Sequence, residues 1–288
     1  MNYINLIFNR RFKIYLTLKN KSIIKLIINL FLLWNTFKLF QIQADPKIQL
    51  LSGLLSVGIY FDIEDKDLNI QSFRSKSFVF GIFLLAICIF RSFYLITPLD
   101  KYYYLLLPFG ISSISLLGKQ VKKNNSFRNI IFLSFLLPSR RLFFYLFNPI
   151  LLFLTKYLTY VFLLCLGTNP ILEGRSIFIN RSELIISTGC GGTDNMFFVI
   201  CSVIIYLLTL KLRNPFNLKI VYFLMFFVPL LTNVIRNALL AIFINLETNN
   251  KDVLFYFFHD SYGSLIFSLF SVLILSFIYF KLLNEELN

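Results

Sequence analysis

Histidine is nearly absent from this sequence, which has one in 288 residues, His259. Cysteine is sparse too: Cys88, Cys165, Cys190 and Cys201, with no CxxC pair among them. So few and so scattered ligands exclude the spacings of a structural zinc site, and no metal or cofactor is expected. Charge is also scarce. Charged residues make up 15% of the chain, against about 25% in an average soluble protein. A globule of this length in water could not cover its surface with so little. Glycine, at 11 residues, is far outnumbered by 36 phenylalanines and 15 tyrosines, which argues against a glycine-rich channel. The basic N-terminal stretch is not followed by a small-residue cleavage site, so no cleavable signal peptide is expected.

What is abundant is apolar sequence. The hydrophobic fraction is 57% and the mean hydropathy +0.74. Several runs approach or exceed the ~20 residues that cross a hydrocarbon core as helix. They are continuous rather than alternating, which favours helices over a barrel. The net charge of +14 comes mostly from short loops between those runs. Placed there, basic residues set topology and attract anionic lipid headgroups, so membrane lipids rather than nucleic acid are the expected contacts. The pattern predicts an all-α polytopic membrane protein, without internal repeat or soluble domain.

About eight transmembrane helices are expected, near residues 22–40, 47–62, 78–97, 102–118, 142–165, 193–210, 220–244 and 254–281. Residues 1–21 read as a basic cytoplasmic or interfacial arm, 22–281 as one membrane domain and 282–288 as a short cytoplasmic tail. Pro138 is expected to end a short interfacial piece before the fifth span, leaving Arg140 and Arg141 at headgroup level. Between the fifth and sixth spans, `RSIFINRSELIIS` alternates on both sides of Asn180-Arg181, which predicts a small β-hairpin. The positive-inside rule puts the N-terminus and the 119–128 and 211–219 loops in the cytoplasm, and the C-terminus with them. The 167–192 segment and the 246–253 turn are then extracytoplasmic. Cys190, Arg236 and His259 thereby fall towards one face of the membrane.

Each has a plain reading and a functional one. Cys190 lies in `TGCGGTDN` beside Gly189, Gly191 and Gly192, where Thr193 or Asp194 could cap the next helix. A helix N-terminus favours the nucleophilic thiolate; the plain alternative is a Cys165–Cys190 disulfide. Arg236 lies inside `VPLLTNVIRNALLAIF`, where a central arginine costs about 2.5–3.5 kcal/mol on insertion scales. It either snorkels to the interface or belongs to a polar patch with Asn233, which shares its helical face. His259 alone could be incidental, with Gly263 a small neighbour one turn on. Arg91 is a further candidate, with snorkelling the plainer account.

Three ordered motifs carry a resemblance: `GCGGTDNM`, `NVIR` from Asn233 to Arg236, and `HDSYG` from His259 to Gly263. Together they resemble the exosortase/archaeosortase family of membrane-embedded cysteine transpeptidases, best over residues 142–281, with a cyanobacterial-type exosortase one branch open to the chain. The family commonly has Cys-Ser-Gly or Cys-Ala-Gly, where this chain has Cys190-Gly191-Gly192-Thr193. The resemblance implies catalytic Cys190, Arg236 and His259, supported by Asn233, Gly191, Gly192 and Asp194. It implies substrates that are exported proteins ending in a short motif, a transmembrane helix and a basic tail. It also implies a bacterial plasma (inner) membrane, with the site facing the extracytoplasmic side. The residues themselves leave two other readings open. One is a transporter or lipid flippase binding an anionic substrate through Arg236; the other is a structural assembly factor with Cys190 in a bridge.

Overall fold

Sustained apolar runs become helices along most of the chain, because in lipid the backbone can satisfy its own polar groups no other way short of a closed barrel. The computed structural model describes residues 23–64, 75–97, 99, 101–118, 126–180, 182–245, 251–259 and 261–287. The basic 1–21 arm, residues 119–125 of the basic loop and residues 246–250 of the expected outer turn lie outside the described residues.

The helices are α1 (Ile23–Gln41), α2 (Pro46–Glu64), α3 (Lys76–Phe93), α4 (Tyr103–Leu117) and α5 (Ser126–Cys165). Three strands follow: β1 (Ile171–Glu173), β2 (Ser176–Ile179) and β3 (Ser182–Ile185). Then come α6 (Thr193–Thr209), α7 (Pro215–Ile244), α8 (Lys251–His259) and α9 (Ser261–Leu287). Five of these, α1, α3, α5, α7 and α9, are long and apolar enough to cross a membrane, and α4 and α6 are shorter apolar helices. The protein is therefore a helical integral membrane protein, and each expected run is matched by helix.

Two expectations are corrected. Pro138 does not break the fifth span: α5 runs unbroken for 40 residues from Ser126 to Cys165. A proline removes one ladder hydrogen bond. Leaving the helix in an apolar setting would strand many more backbone groups, so the chain stays helical through it. At ~1.5 Å per residue α5 is about 60 Å long, about twice a ~30 Å hydrocarbon core. The eighth run is likewise not one helix. It is described as two helices, the short α8 ending at His259 and the long α9 starting at Ser261, which makes the end of α8 a helix terminus.

The chain forms two compact units, residues 1–138 and 139–288. In the first, polar side chains join helices within the apolar packing. Asn35 Nδ2 donates to Ser52 Oγ at 2.7 Å between α1 and α2, and Trp34 Nε1 donates to Ser92 Oγ at 2.9 Å between α1 and α3. Lys38 is buried, with its Nζ 5.3 Å from the Trp34 ring and donating to Gln41 Oε1 at 2.8 Å. Arg91 lies at the end of α3 with its guanidinium 4.5 Å from the Tyr102 ring, in keeping with its plainer reading. α3 and α4 approach closely at Gly81, where a Cβ would lie 2.9 Å from the Ser113 carbonyl oxygen.

In the second unit α6, α7 and α9 share a core of Val199, Val203, Val221, Val228, Leu275 and Tyr279. One end of α7 is held by α9: Glu286 accepts from the Arg213 and Asn214 N–H groups and from Asn217 Nδ2. The other end packs with the sheet, whose Ile177, Ile179 and Leu184, with Ile186 just after β3, join Leu163, Ala238, Leu240 and Ala241. The predicted hairpin is present, with Ile179 opposite Ser182 across Asn180-Arg181. Asn180 has φ +53°, a left-handed conformation that asparagine tolerates in two-residue hairpin loops. β1 adds an unforeseen third strand, with order β1-β2-β3, both pairings antiparallel.

Gly81→Val should lower the thermal unfolding midpoint in detergent, since overpacking at a helix contact costs about 1–3 kcal/mol. Gly53→Ala, where a Cβ meets open space, should leave it unchanged or raise it slightly, alanine being better than glycine in a helix by about 1 kcal/mol. Equal midpoints for Gly81→Val and the unmodified protein would contradict the close α3–α4 approach.

Candidate active site

The sheet delivers the cysteine. After β3, the Ile186 N–H donates to the Arg175 carbonyl, and the Cys190 N–H donates to the Ser187 carbonyl at 2.9 Å, closing a tight turn over Thr188 and Gly189. Ser187 Oγ donates to Cys190 Sγ at 3.6 Å. Cys190 is 1% exposed. All four cysteines are free, with Cys165 exposed at the end of α5, so the Cys165–Cys190 disulfide is not formed.

The glycines after the cysteine have separate reasons. Gly192 has φ +77° and forms the N-cap of α6. A Cβ there would also lie 2.5 Å from Asn233 Nδ2, so both backbone conformation and space demand glycine. A Cβ on Gly191 would meet Asn148 Oδ1 at 3.3 Å and Leu152 Cδ1 at 3.4 Å. The missing side chains let α5 and α7 press on the loop from two directions.

The expected capping by Thr193 or Asp194 does not occur, because the backbone enters α6 through Gly192 with no side-chain cap. α5 takes up both side chains instead. Thr193 Oγ1 donates to Asn148 Oδ1 at 2.9 Å. Asp194 receives Arg140 through a two-pronged ion pair, Nη2 to Oδ2 at 2.9 Å and Nε to Oδ1 at 3.0 Å. Arg140 was expected among headgroups and finds a carboxylate instead. Farther along α5, Thr155 Oγ1 donates to the Gly191 carbonyl at 3.1 Å.

α7 contributes the opposite wall. Asn233 Nδ2 and Asn237 Nδ2 both donate to the Cys190 carbonyl, at 2.8 and 3.0 Å. Asn233 Oδ1 accepts from Arg236 Nη1 at 3.4 Å, so one amide joins the cysteine backbone to the guanidinium. Arg236 does not snorkel: it is 3% exposed. Its Nε donates to the Phe258 carbonyl and its Nη2 to the His259 carbonyl, each at 3.0 Å. These are carbonyls of the last turn of α8, which have no partner within their helix, and a cation beside them is favoured by the helix dipole. The guanidinium therefore caps α8. Its acceptors among the described residues are all neutral.

The structure thus links the three sequence-derived residues: Cys190 through Asn233 to Arg236, and Arg236 to the backbone of His259. The His259 side chain is exposed, with its ring stacked on Phe255 at 5.2 Å between centroids. Gly263 acts through backbone contact, since a Cβ there would lie 2.2 Å from the Phe257 carbonyl oxygen. Sequence reasoning left Asn237, Arg140, Asn148 and Thr155 out of the site. The asparagine had a signal, lying one turn from Asn233 and so on its face. The α5 residues share one helical face, but nothing in the sequence said that this face meets the cysteine loop.

A buried cysteine tied through a single amide to a buried guanidinium pairs a nucleophile with a cation that can stabilise negative charge. No curated protein and no solved structure matches the chain. One family does, described as transmembrane exosortase, and it covers residues 24–276. With a match over most of its length, on which the loop, the arginine and the histidine all fall, this chain belongs to the transmembrane exosortase family.

Proposed function

We propose that this exosortase-family protein is a membrane-embedded cysteine transpeptidase or peptidase that cleaves C-terminal sorting signals of exported proteins. The observation that carries the reading is the buried Arg236, which joins Cys190 to the end of α8 and pairs with no carboxylate among the described residues. A guanidinium so desolvated is expensive unless hydrogen-bonded and paired. Neutral acceptors hold the guanidinium in place, where an anion that forms during reaction at Cys190 would find a cation already set. Family membership favours this account over a transporter or flippase.

In the proposed reaction the Cys190 thiolate attacks the carbonyl carbon of the scissile peptide, forming a C–S bond as the carbonyl electron pair moves to oxygen. Arg236 steadies the thiolate beforehand and the oxyanion afterwards, through N–H groups not committed to Asn233, Phe258 and His259. Low local dielectric strengthens that interaction relative to water. The C–N bond then breaks, the leaving amine takes a proton from the His259 imidazolium, and a thioester remains on Cys190. An incoming amine or water attacks the thioester, gives its proton to His259 and releases Cys190 as thiolate. An amine acceptor makes the outcome transpeptidation; water makes it hydrolysis. The substrate's own transmembrane helix would hold the scissile bond at membrane depth, on the extracytoplasmic side of a bacterial plasma membrane.

Cys190→Ala should abolish processing of a co-expressed exported protein carrying a C-terminal motif, helix and basic tail, while the variant accumulates normally. Immunoblotting for the shortened substrate reads this, and normal processing would remove Cys190 as the nucleophile. Arg236→Lys should reduce the processing rate by about 100-fold or more, as loss of an oxyanion donor does, because an ammonium cannot span the Phe258 and His259 carbonyls and Asn233 together. A lysine variant with unmodified rates would make the arginine purely structural.

A further inference from the structure

We infer that Asn237 is a positioning residue for Cys190, retained for the cysteine's orientation rather than for the stability of the fold. The inference rests on the reading of Cys190 as nucleophile and adds a residue to it. Asn237 is 0% exposed, and its Nδ2 donates to the Cys190 carbonyl at 3.0 Å. Its Oδ1 is buried with no hydrogen-bond partner among the described residues. A buried amide that satisfies one end and strands the other is a poor stabiliser, since the unmet acceptor keeps its full desolvation penalty. The carbonyl it serves does not need it for satisfaction, because Asn233 Nδ2 already donates there at 2.8 Å.

What the second donor adds is direction. One hydrogen bond lets a carbonyl pivot about its acceptor oxygen. Two donors one helical turn apart, both on α7, fix the plane of the Cys190–Gly191 peptide. That plane sets where the Cα–Cβ bond, and so the thiol, points. The loop needs such control because Gly189, Gly191 and Gly192 flank the cysteine and supply little stiffness of their own. Asn233 is less free to provide it alone, since its Oδ1 is also engaged by Arg236. The division of work follows: Asn233 ties the cysteine to the cation, and Asn237 orients the cysteine.

Asn237→Leu tests this in the full-length protein in detergent, being close in shape and leaving no orphaned group, since Cys190 O keeps Asn233. The expected result is a thermal midpoint equal to or above that of the unmodified protein. Alkylation of Cys190 by iodoacetamide, with Cys88, Cys165 and Cys201 replaced by serine or alanine in all compared proteins, should change at least several-fold in rate. Substrate processing should fall by up to about 100-fold, in kcat rather than KM, as expected for a reacting group misplaced by about an ångström. A lowered midpoint with activity falling in proportion would overturn the inference in favour of a structural role. Unchanged alkylation and unchanged processing would overturn it too. Alkylation needs no substrate, so it separates failure here from failure of the enzymatic reading. If Cys190→Ala processes substrate normally, the enzyme assignment falls, while the alkylation rates still decide whether Asn237 orients the thiol.

Discussion

The second unit is organised around one charge that membrane burial makes costly. Arg236 sits in the interior of α7 at 3% exposure, where an isolated guanidinium would be strongly disfavoured. It is tolerable because the end of α8 is presented to it. The Phe258 and His259 carbonyls have lost their intrahelical donors and take the guanidinium's instead. Two deficits cancel: a cation short of acceptors and a helix end short of donors. The arrangement also places the backbone of the only histidine in the chain against the arginine, so that the charge of α7 and the position of His259 are one structural fact.

The cysteine loop is held by a different means. Its backbone carbonyls, rather than its side chains, are what the neighbouring helices grip. Cys190 O takes two amides from α7 and Gly191 O takes the Thr155 hydroxyl from α5. Only a loop stripped of side chains could be approached this closely from two sides, which is why glycine occupies 191 and 192. Beyond the loop, Thr193 and Asp194 extend the same grip, with the Arg140–Asp194 pair fastening the first turn of α6 to α5. A thiol set in such a frame has few ways to move, as is wanted of a group that must meet a carbonyl at a set distance and angle.

Legibility differed between elements for physical reasons. The hairpin was readable because alternation and the Asn180-Arg181 turn are local, and local sequence determines them. β1 was not, since three residues of strand carry too little pattern to announce themselves. Cys190 and Arg236 stood out as chemically conspicuous residues in apolar surroundings. Asn237 did not, because a second asparagine near a buried arginine looks like more of the same polar patch. The Pro138 and residue 260 expectations erred in opposite directions. Proline's local preference was overridden by the need of the backbone in lipid to stay bonded. At residue 260 a continuous apolar run hid a helix end whose reason lies across the fold, in Arg236.

By itself, the sequence determined that the chain is a helical membrane protein, that a hairpin precedes a glycine-flanked cysteine, and that cysteine, arginine and histidine occur in that order. These follow from composition, periodicity and residue type, all of which act within a few turns of chain. Tertiary structure alone decided how they are joined: Asn233 and Asn237 on the cysteine carbonyl, Arg236 on the end of α8, and α5 on the loop. Those contacts bridge 22 to 54 positions along the chain. A hydrogen bond of that reach depends on where two helices come to lie, and no local preference of either one encodes it.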